Sequence, residues 1–491
     1  MKNCGAARAS GGEGVADVAA GEPRGLWIDG RWQAGTGLLP VVHKYSGEML
    51  AEVVEATAAD VAAAVAAARR AAERPLSPRR RYDVLQAAAG LVAAQQTDLA
   101  RLIAREAGKP LKDASTEVAR AAETLTLSAE EAKRIAGEGV PVEASPGGED
   151  RLAFTLRVPV GVVAAITQFN FPLNLVVHKV GPALAAGNAV VLKPATATPL
   201  AAIRLCEILA AAGLPAGYLS LVVGPGATTG EALLAHPGVD LFTFTGSPAV
   251  GQHVKERTGL RRVTLELGNS SPNIVCADAD LQRAADALAR RAHGSAGQTC
   301  ISVQRIYVQE AVADDFTRLL REATSRLVVG DPEDPATDVG PMISEAEAER
   351  AHAWVQEAVA GGARVICGGS RRGALMAPTL LTGVRPQMKV VCREVFAPVA
   401  SVVPFAALDE AIAAANDTPY GLQAGVYTGS LATALEAARR LQFGGVIIND
   451  TSSFRADLMP YGGVKGSGMG REGPRYAVAE MTETRVVVVR P

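Results

Sequence analysis

Cys300 closes the stretch Ala292-His-Gly-Ser-Ala-Gly-Gln-Thr-Cys300. A helical run from about Asp280 to Ser295 leads into it, and a β-like segment, Ser302 to Gln309, begins just after. At such a junction backbone N–H groups lack partners and the local potential is positive. Both effects lower a thiol pKa and favour the nucleophilic thiolate. A single cysteine is more often a small buried hydrophobe, so its meaning depends on the rest of the chain.

Five other places carry residues suited to chemistry. Phe169-Asn170-Phe171-Pro172 follows an apolar run at 160–166, where Asn170 either makes a turn or offers its N–H₂ to a developing oxyanion. Lys193 ends the next apolar run in Leu192-Lys193-Pro194-Ala195; it is either a solvated charge or a hold on ribose hydroxyls or phosphate. Phe244-Thr245-Gly246-Ser247, with Gly251, lies between a strand and a helix, and small residues there let a phosphate approach a helix N-terminus. The spacing is not G-x-G-x-x-G, so the usual dinucleotide fingerprint is absent. Glu266, in Leu265-Glu266-Leu267-Gly268, has apolar neighbours that raise a carboxyl pKa toward what a general base needs; the other reading is a structural ion pair. In Glu394-Val-Phe396-Ala-Pro398 the carboxylate suits ribose and the ring suits a flat partner, though core packing explains Phe396 equally well.

The elements that must position these groups follow from pattern. The chain has 491 residues, enough for two or three domains. Its 48% hydrophobic and 20% charged residues are those of a soluble globular protein. A net charge of −2 gives no field for nucleic acid, and no apolar run reaches the roughly 18–20 residues of a membrane span. Residues 1–24 are Ala/Gly-rich without a signal-peptide core, which predicts a disordered leader and a cytoplasmic protein. The six cysteines form no C-x-x-C pair and do not interleave with the histidines, so no metal site or disulfide framework is expected.

Residues 58–137 have helical periodicity broken at Arg74-Pro75 and Gly108-Lys109-Pro110, which predicts three or four helices. Residues 141–160 read as a hairpin reaching outward. Apolar runs at 160–166, 188–192, 219–223, 241–245, 262–267 and 272–276 alternate with helical segments at 174–186, 199–212, 228–235 and 248–258. That alternation predicts a parallel sheet with its ligand at the strands' carboxyl ends. A second α/β set runs to about 450, and the β-run Thr484–Arg490 is expected to pair with 141–160 or with another subunit.

Taken in order, Asn-Phe-Pro, Lys-Pro, Phe-Thr-Gly-Ser, Leu-Glu-Leu-Gly, Gly-Gln-x-Cys, Glu-x-Phe-x-Pro and Pro460-Tyr-Gly-Gly-Val-Lys-Gly-Ser-Gly-Met-Gly-Arg-Glu-Gly473 resemble the aldehyde dehydrogenase superfamily over roughly residues 25–490. The resemblance implies an α/β fold in three parts. These are a Rossmann-type dinucleotide-binding domain (25–140 and 161–267), a second α/β catalytic domain (268–477) and a β oligomerisation element (141–160 and 478–491). It implies a homodimer or homotetramer and NAD or NADP as cofactor. It makes Cys300 the nucleophile, Asn170 with the Cys300 N–H the oxyanion donors, and Glu266 the base for the deacylating water. Lys193 and Glu394 match ribose contacts, Gly246 and Ser247, with Gly251, the pyrophosphate cradle, and Phe396 the nicotinamide wall. A glutamate at 266 favours a free acid product over transfer to coenzyme A.

Finer features resemble the branch acting on lactaldehyde, non-phosphorylating glyceraldehyde-3-phosphate, and phosphonate or sulfonate aldehydes. Those features are Phe169–Lys179, Gln298–Ser302 and Ser453–Tyr461. Arg120 and Arg455 match positions facing the substrate tunnel, where two guanidinium groups would clamp a distal anion. Phe171 and Thr299 face the substrate too. Phosphonoacetaldehyde-type enzymes tend to carry His and Arg there, which argues against that substrate. Succinate semialdehyde oxidation is the alternative. Thr196 stands where NAD-preferring relatives usually carry Glu, so use of both cofactors, or tolerance of NADP, is expected.

Overall fold

Thr57 and Ser77 open the helical block, each accepting a bond from the N–H three residues on. Asp60 returns a bond to the Thr57 N–H and completes a capping box. Helices α1 (Ala58–Ala72), α2 (Pro78–Ala94), α3 (Gln96–Ala107) and α4 (Leu111–Ala132) follow. Gly108, at φ 70°, ends α3, as a left-handed helix terminus requires. The break at Gln95 carries neither Gly nor Pro, and the sequence does not mark it. This computed structural model describes residues 24–35 and 37–491; the leader expected over 1–24 lies outside them, Arg24 aside.

Beyond strand β1 (Leu152–Pro159) the chain alternates as expected. Strands β2 (Val162–Ile166), β3 (Ala189–Lys193), β4 (Leu219–Leu221), β5 (Leu241–Thr245) and β6 (Arg262–Glu266) lie parallel in the order β4-β3-β2-β5-β6. All residues of β2 to β5 are buried, because helices cover both faces. Helices α5 (Asn174–Ala186), α6 (Leu200–Ala211) and α7 (Pro248–Thr258) are among the connections. Ile166 pairs with Lys193 and Thr245 with Glu266, so the carboxyl ends of these strands are level.

The run expected as a sixth strand of this sheet, now β7 (Ser271–Val275), instead belongs to a second sheet. That sheet also holds β8 (Val303–Gln309), β9 (Thr379–Thr382), β10 (Val399–Phe405), β11 (Gln423–Tyr427) and β12 (Gly445–Ile448). They lie parallel in the order β9-β10-β8-β7-β11-β12. The chain therefore changes sheet between Glu266 and Ser271. It also returns: Gly468–Met469 pairs antiparallel with β6, so part of the segment assigned to a catalytic domain extends the first sheet.

The expected hairpin forms, with Gly139–Val140 pairing antiparallel with Ala153–Phe154 of β1, so that its first strand lies just before residue 141. β13 (Thr482–Val489) pairs antiparallel with β1 along its whole length, from Thr482 opposite Pro159 to Val489 opposite Leu152. The tail thus adds a third strand on the other edge of β1, within the same chain, as the sequence led us to expect.

Two buried carboxylates tie the helical block to the first sheet. Glu106 accepts from the N–H groups of Leu200 and Ala201 at the start of α6. Glu117 accepts from Leu173 (2.9 Å) and Asn174 (3.1 Å) at the start of α5, and from the buried Lys109 ammonium. Both satisfy N–H groups that a helix N-terminus leaves free. Glu117→Ala leaves two N–H groups and an ammonium buried without an acceptor. It should cost roughly 3–5 kcal/mol, read as a lowered denaturant midpoint.

Candidate active site

Helix α8 (Leu281–His293) delivers the chain to the cysteine. After it Ser295, Ala296 and Gly297 take left-handed φ values of 51°, 53° and 67° in succession. Each non-glycine residue so held costs roughly 1–2 kcal/mol, so neighbours must enforce the turn. Gln298 accepts from the Ile343 N–H (2.9 Å) and donates to the Ser295 carbonyl (3.4 Å). Asn170 Nδ2 donates to the Gln298 carbonyl at 2.8 Å. A Cβ on Gly297 would lie 2.1 Å from the Ala397 carbonyl oxygen. The turn therefore seats the cysteine loop against both the 169–172 and the 394–398 segments.

Cys300 is half-buried in the wall of a cavity of about 880 Å³. Asn170, Phe171, Thr299, Arg120, Arg455 and Tyr461 share that wall. Among the described residues no acceptor takes the Cys300 N–H. The expected lowering of the thiol pKa does not occur. Burial pushes it up to about 12, opposed by the Tyr461 hydroxyl 3.0 Å from Sγ. The left-handed turn separates Cys300 from the end of α8, and the loss of water outweighs the junction effect.

Glu266 is buried and does not line the cavity. Burial, then the negative charge of Glu472, hold its carboxyl well above the usual range, and Oε2 has no partner. Burial would raise Glu472 too, but Lys179 at 3.0 Å and Arg455 at 2.9 Å outweigh it and keep it ionised. Lys179 also donates to Thr243.

The two arginines meant to clamp an anion are not free. Arg120 gives Nε and Nη2 to Asp457 at 3.0 and 2.7 Å, and Arg455 gives Nη2 to Glu472. His178 stands between the pairs, with Nε2 2.8 Å from Asp457 and 3.1 Å from Arg455 Nη2. Burial and the Arg455 charge keep its pKa below the usual value. Arg455 Nε remains buried without a partner.

Lys193, Thr196, Gly246 and Ser247 lie at or just past strand ends, Gly251 lies within α7, and Glu394 and Phe396 lie in the loop before β10; none of them lines the cavity. Lys193 ends β3, buried, with only the Pro194 carbonyl at 3.3 Å as acceptor; burial pulls its amine down to about 8. The Thr196 hydroxyl donates to the Gly224 carbonyl. The need for glycine at 246 and 251 is met by packing, since a Cβ would strike the Phe244 ring at 2.4 Å and Leu267 at 2.3 Å. Ser247 caps α7, whose first turn is largely exposed. Glu394 accepts from the Asn269 N–H, and burial pushes it up to about 7. Phe396, at φ 51°, meets Phe169 edge-on with ring centres 5.9 Å apart. Lys193, with almost no partner among the described residues, fits a phosphate or hydroxyls, and Glu394, a half-buried acceptor holding one N–H, fits hydroxyls. Among the described residues no cluster of His, Cys, Asp or Glu could hold a metal.

Sequence reasoning missed Tyr461, Lys179 and Glu472 as site residues. Lys179 carried a signal, being a cation within an otherwise apolar helix. Tyr461 and Glu472 lie within the Pro460–Gly473 motif that carries the resemblance, but their residue types and spacing did not mark them individually. Gly297→Ala forces a side chain into a left-handed position against a carbonyl; it should remove roughly 2 kcal/mol of stability and slow Cys300 alkylation, read by melting curves and iodoacetamide labelling.

Residues 32–487 match the aldehyde dehydrogenase family. A 3-sulfolactaldehyde dehydrogenase of Priestia aryabhattai is 52% identical, covering 95% of this chain and 98% of its own. A lactaldehyde dehydrogenase of Methanocaldococcus jannaschii is 39% identical, covering 94% and 100%. The solved glyceraldehyde-3-phosphate dehydrogenase GapN of the same organism, complexed with NADP, superposes with a TM-score of 0.89 at 39% identity, covering 92% and 99%. With likeness extending over nearly the full length of each relative, the chain belongs to the aldehyde dehydrogenase family.

Proposed function

We propose that the protein oxidises a small polar or anionic aldehyde to its carboxylic acid with NAD or NADP, through a thiohemiacetal and a thioester on Cys300. The observation that carries this reading is the shared cavity, into which a thiol, a side-chain amide and two guanidinium groups open together. The Cys300 sulfur attacks the carbonyl carbon. Negative charge develops on the oxygen, where the second Asn170 Nδ2 hydrogen and the Cys300 N–H serve as donors, worth about 3 kcal/mol each. Bound NAD or NADP supplies the hydride acceptor that makes the thiohemiacetal a thioester. Glu266, kept basic by burial and by ionised Glu472, takes the proton of the water that releases the acid.

Lys193 and Glu394 hold the cofactor's ribose hydroxyls, Gly246, Ser247 and the α7 N-terminus its phosphates, and Phe396 its nicotinamide. Thr196 presents no carboxylate to repel a 2′-phosphate, which supports NADP use.

The substrate's distal group is an anion. Arg455 Nε is a buried donor awaiting an acceptor, and Arg120 keeps Nη1 free of Asp457. A sulfonate or phosphate supplies three acceptor oxygens to such a pair. Among the candidates we place the three-carbon sulfonated aldehyde first, because the 52%-identical relative is named for it. The exposed Leu152 and Leu156 of β1 and Val489 of β13, which pairs with Leu152, lie on one sheet face and leave it apolar; a second copy of the chain would cover it, giving a homo-oligomer.

Cys300→Ala should reduce NAD(P)H formation at least about 10⁴-fold while cofactor binding persists; retained turnover would exclude the covalent route. A panel of sulfolactaldehyde, lactaldehyde, glyceraldehyde-3-phosphate and succinate semialdehyde, with both nicotinamides, should give the highest kcat/KM with the sulfonate. A preference for succinate semialdehyde would move the assignment to that alternative. Glu266→Gln should slow the second half of the cycle roughly 10²-fold or more. A stoichiometric burst of NAD(P)H followed by a slow steady state is the expected trace.

A further inference from the structure

We infer that Tyr461 is a further catalytic residue, whose phenol donates a hydrogen bond to the Cys300 sulfur and favours the thiolate, with Arg455 stacked on its ring to strengthen that donation. The inference rests on the reading of Cys300 as nucleophile given above.

Either atom of the pair could donate, and the burial of the phenol argues for one direction. Tyr461 is buried, and its oxygen lies 3.0 Å from Sγ with no other partner among the described residues. A thiol donating to the phenol would leave the phenol's own hydrogen buried without an acceptor. A buried tyrosine places that hydrogen on a partner, and among the described residues the one within reach is the Cys300 sulfur. Neutral thiol sulfur is a weak acceptor, whereas a thiolate is a charged one and binds the same hydrogen about twice as strongly. The bond therefore stabilises the reactive form more than the resting form.

Arg455 adds to this. Its guanidinium carbon sits 3.8 Å from the Tyr461 ring centre. A cation on the ring face draws electron density from the phenol and places positive potential beside the sulfur. Burial is the dominant force on the thiol, and the charges of Glu394 and Glu266 act with it; the Tyr461 hydroxyl and Arg455 are the groups opposing them. The phenol itself stays protonated, because burial and the adjacent sulfur hold its pKa well above the usual value. On activation the thiol proton passes to water in the cavity, and the phenol keeps its own.

One residue holds both partners in place. The Tyr461 N–H donates to the Glu472 carbonyl at 3.1 Å, and the Glu472 N–H returns a bond at 2.7 Å. The Glu472 carboxylate grips Arg455 at 2.9 Å.

The test is the pH profile of Cys300 alkylation by iodoacetamide, followed on the peptide containing residue 300. In Tyr461→Phe the apparent thiol pKa should rise by about one unit, making alkylation roughly tenfold slower below it, with the high-pH plateau unchanged. A more acidic phenol, 3-fluorotyrosine at position 461, should move the profile the other way. An unmoved profile in Tyr461→Phe overturns the inference. Should that variant not fold, an unmoved or raised pKa in the fluorinated enzyme does so alone. Full turnover by Cys300→Ala would instead remove the nucleophile reading, so the two failures are distinct.

Discussion

Glu472 carries a negative charge in the interior, with Lys179 3.0 Å from one oxygen and Arg455 2.9 Å from the other. Taking a carboxylate out of water is expensive, and only close cations with good geometry offset it. Much of the site follows from this arrangement. The ionised carboxylate raises its neighbour Glu266 and keeps it basic. The same group fixes Arg455 over the Tyr461 ring and pins the Tyr461 backbone beside the thiol. Arg455 is left with one buried donor, Nε, without a partner among the described residues.

A second constraint is the turn at residues 295–297, held in the left-handed region by Gln298, Asn170 and the Ala397 carbonyl. It joins two sheets of opposite sense at the site. Asn170 follows the carboxyl end of β2, while Cys300 precedes the amino end of β8, and the Asn170–Gln298 bond closes the gap between them. Asn170 and Cys300 thus come from two separately built sheets. Their spacing is set by a side-chain amide and a strained loop, not by either sheet alone.

The arginine pairs show how an interior can be charged and still selective. Asp457 takes two donors of Arg120, and Glu472 takes one of Arg455, with His178 kept neutral between them. Neither guanidinium is an uncompensated charge, so the cavity does not attract anions indiscriminately. The donors that the carboxylates leave over include Arg455 Nε and Arg120 Nη1.

Residue pattern alone determined the strand and helix limits of the first sheet almost to the residue, as at 174–186 and 241–245. Strands buried on both faces are continuous apolar runs, and the helices between them carry their own periodicity, so both signals are local. It also placed Asn170, Lys193, Thr245 and Glu266 after or at strand ends, because motif position along the chain is itself local. Tertiary structure decided the rest: that 271–275 joins the second sheet, that the tail completes β1, that the thiol is pushed up and not down, and that Arg120 and Arg455 already have carboxylate partners. The partners Arg120–Asp457 and Lys179–Glu472 lie 337 and 293 residues apart. Whether a charge is free, paired or desolvated depends on such distant neighbours, and a linear reading holds no term for them.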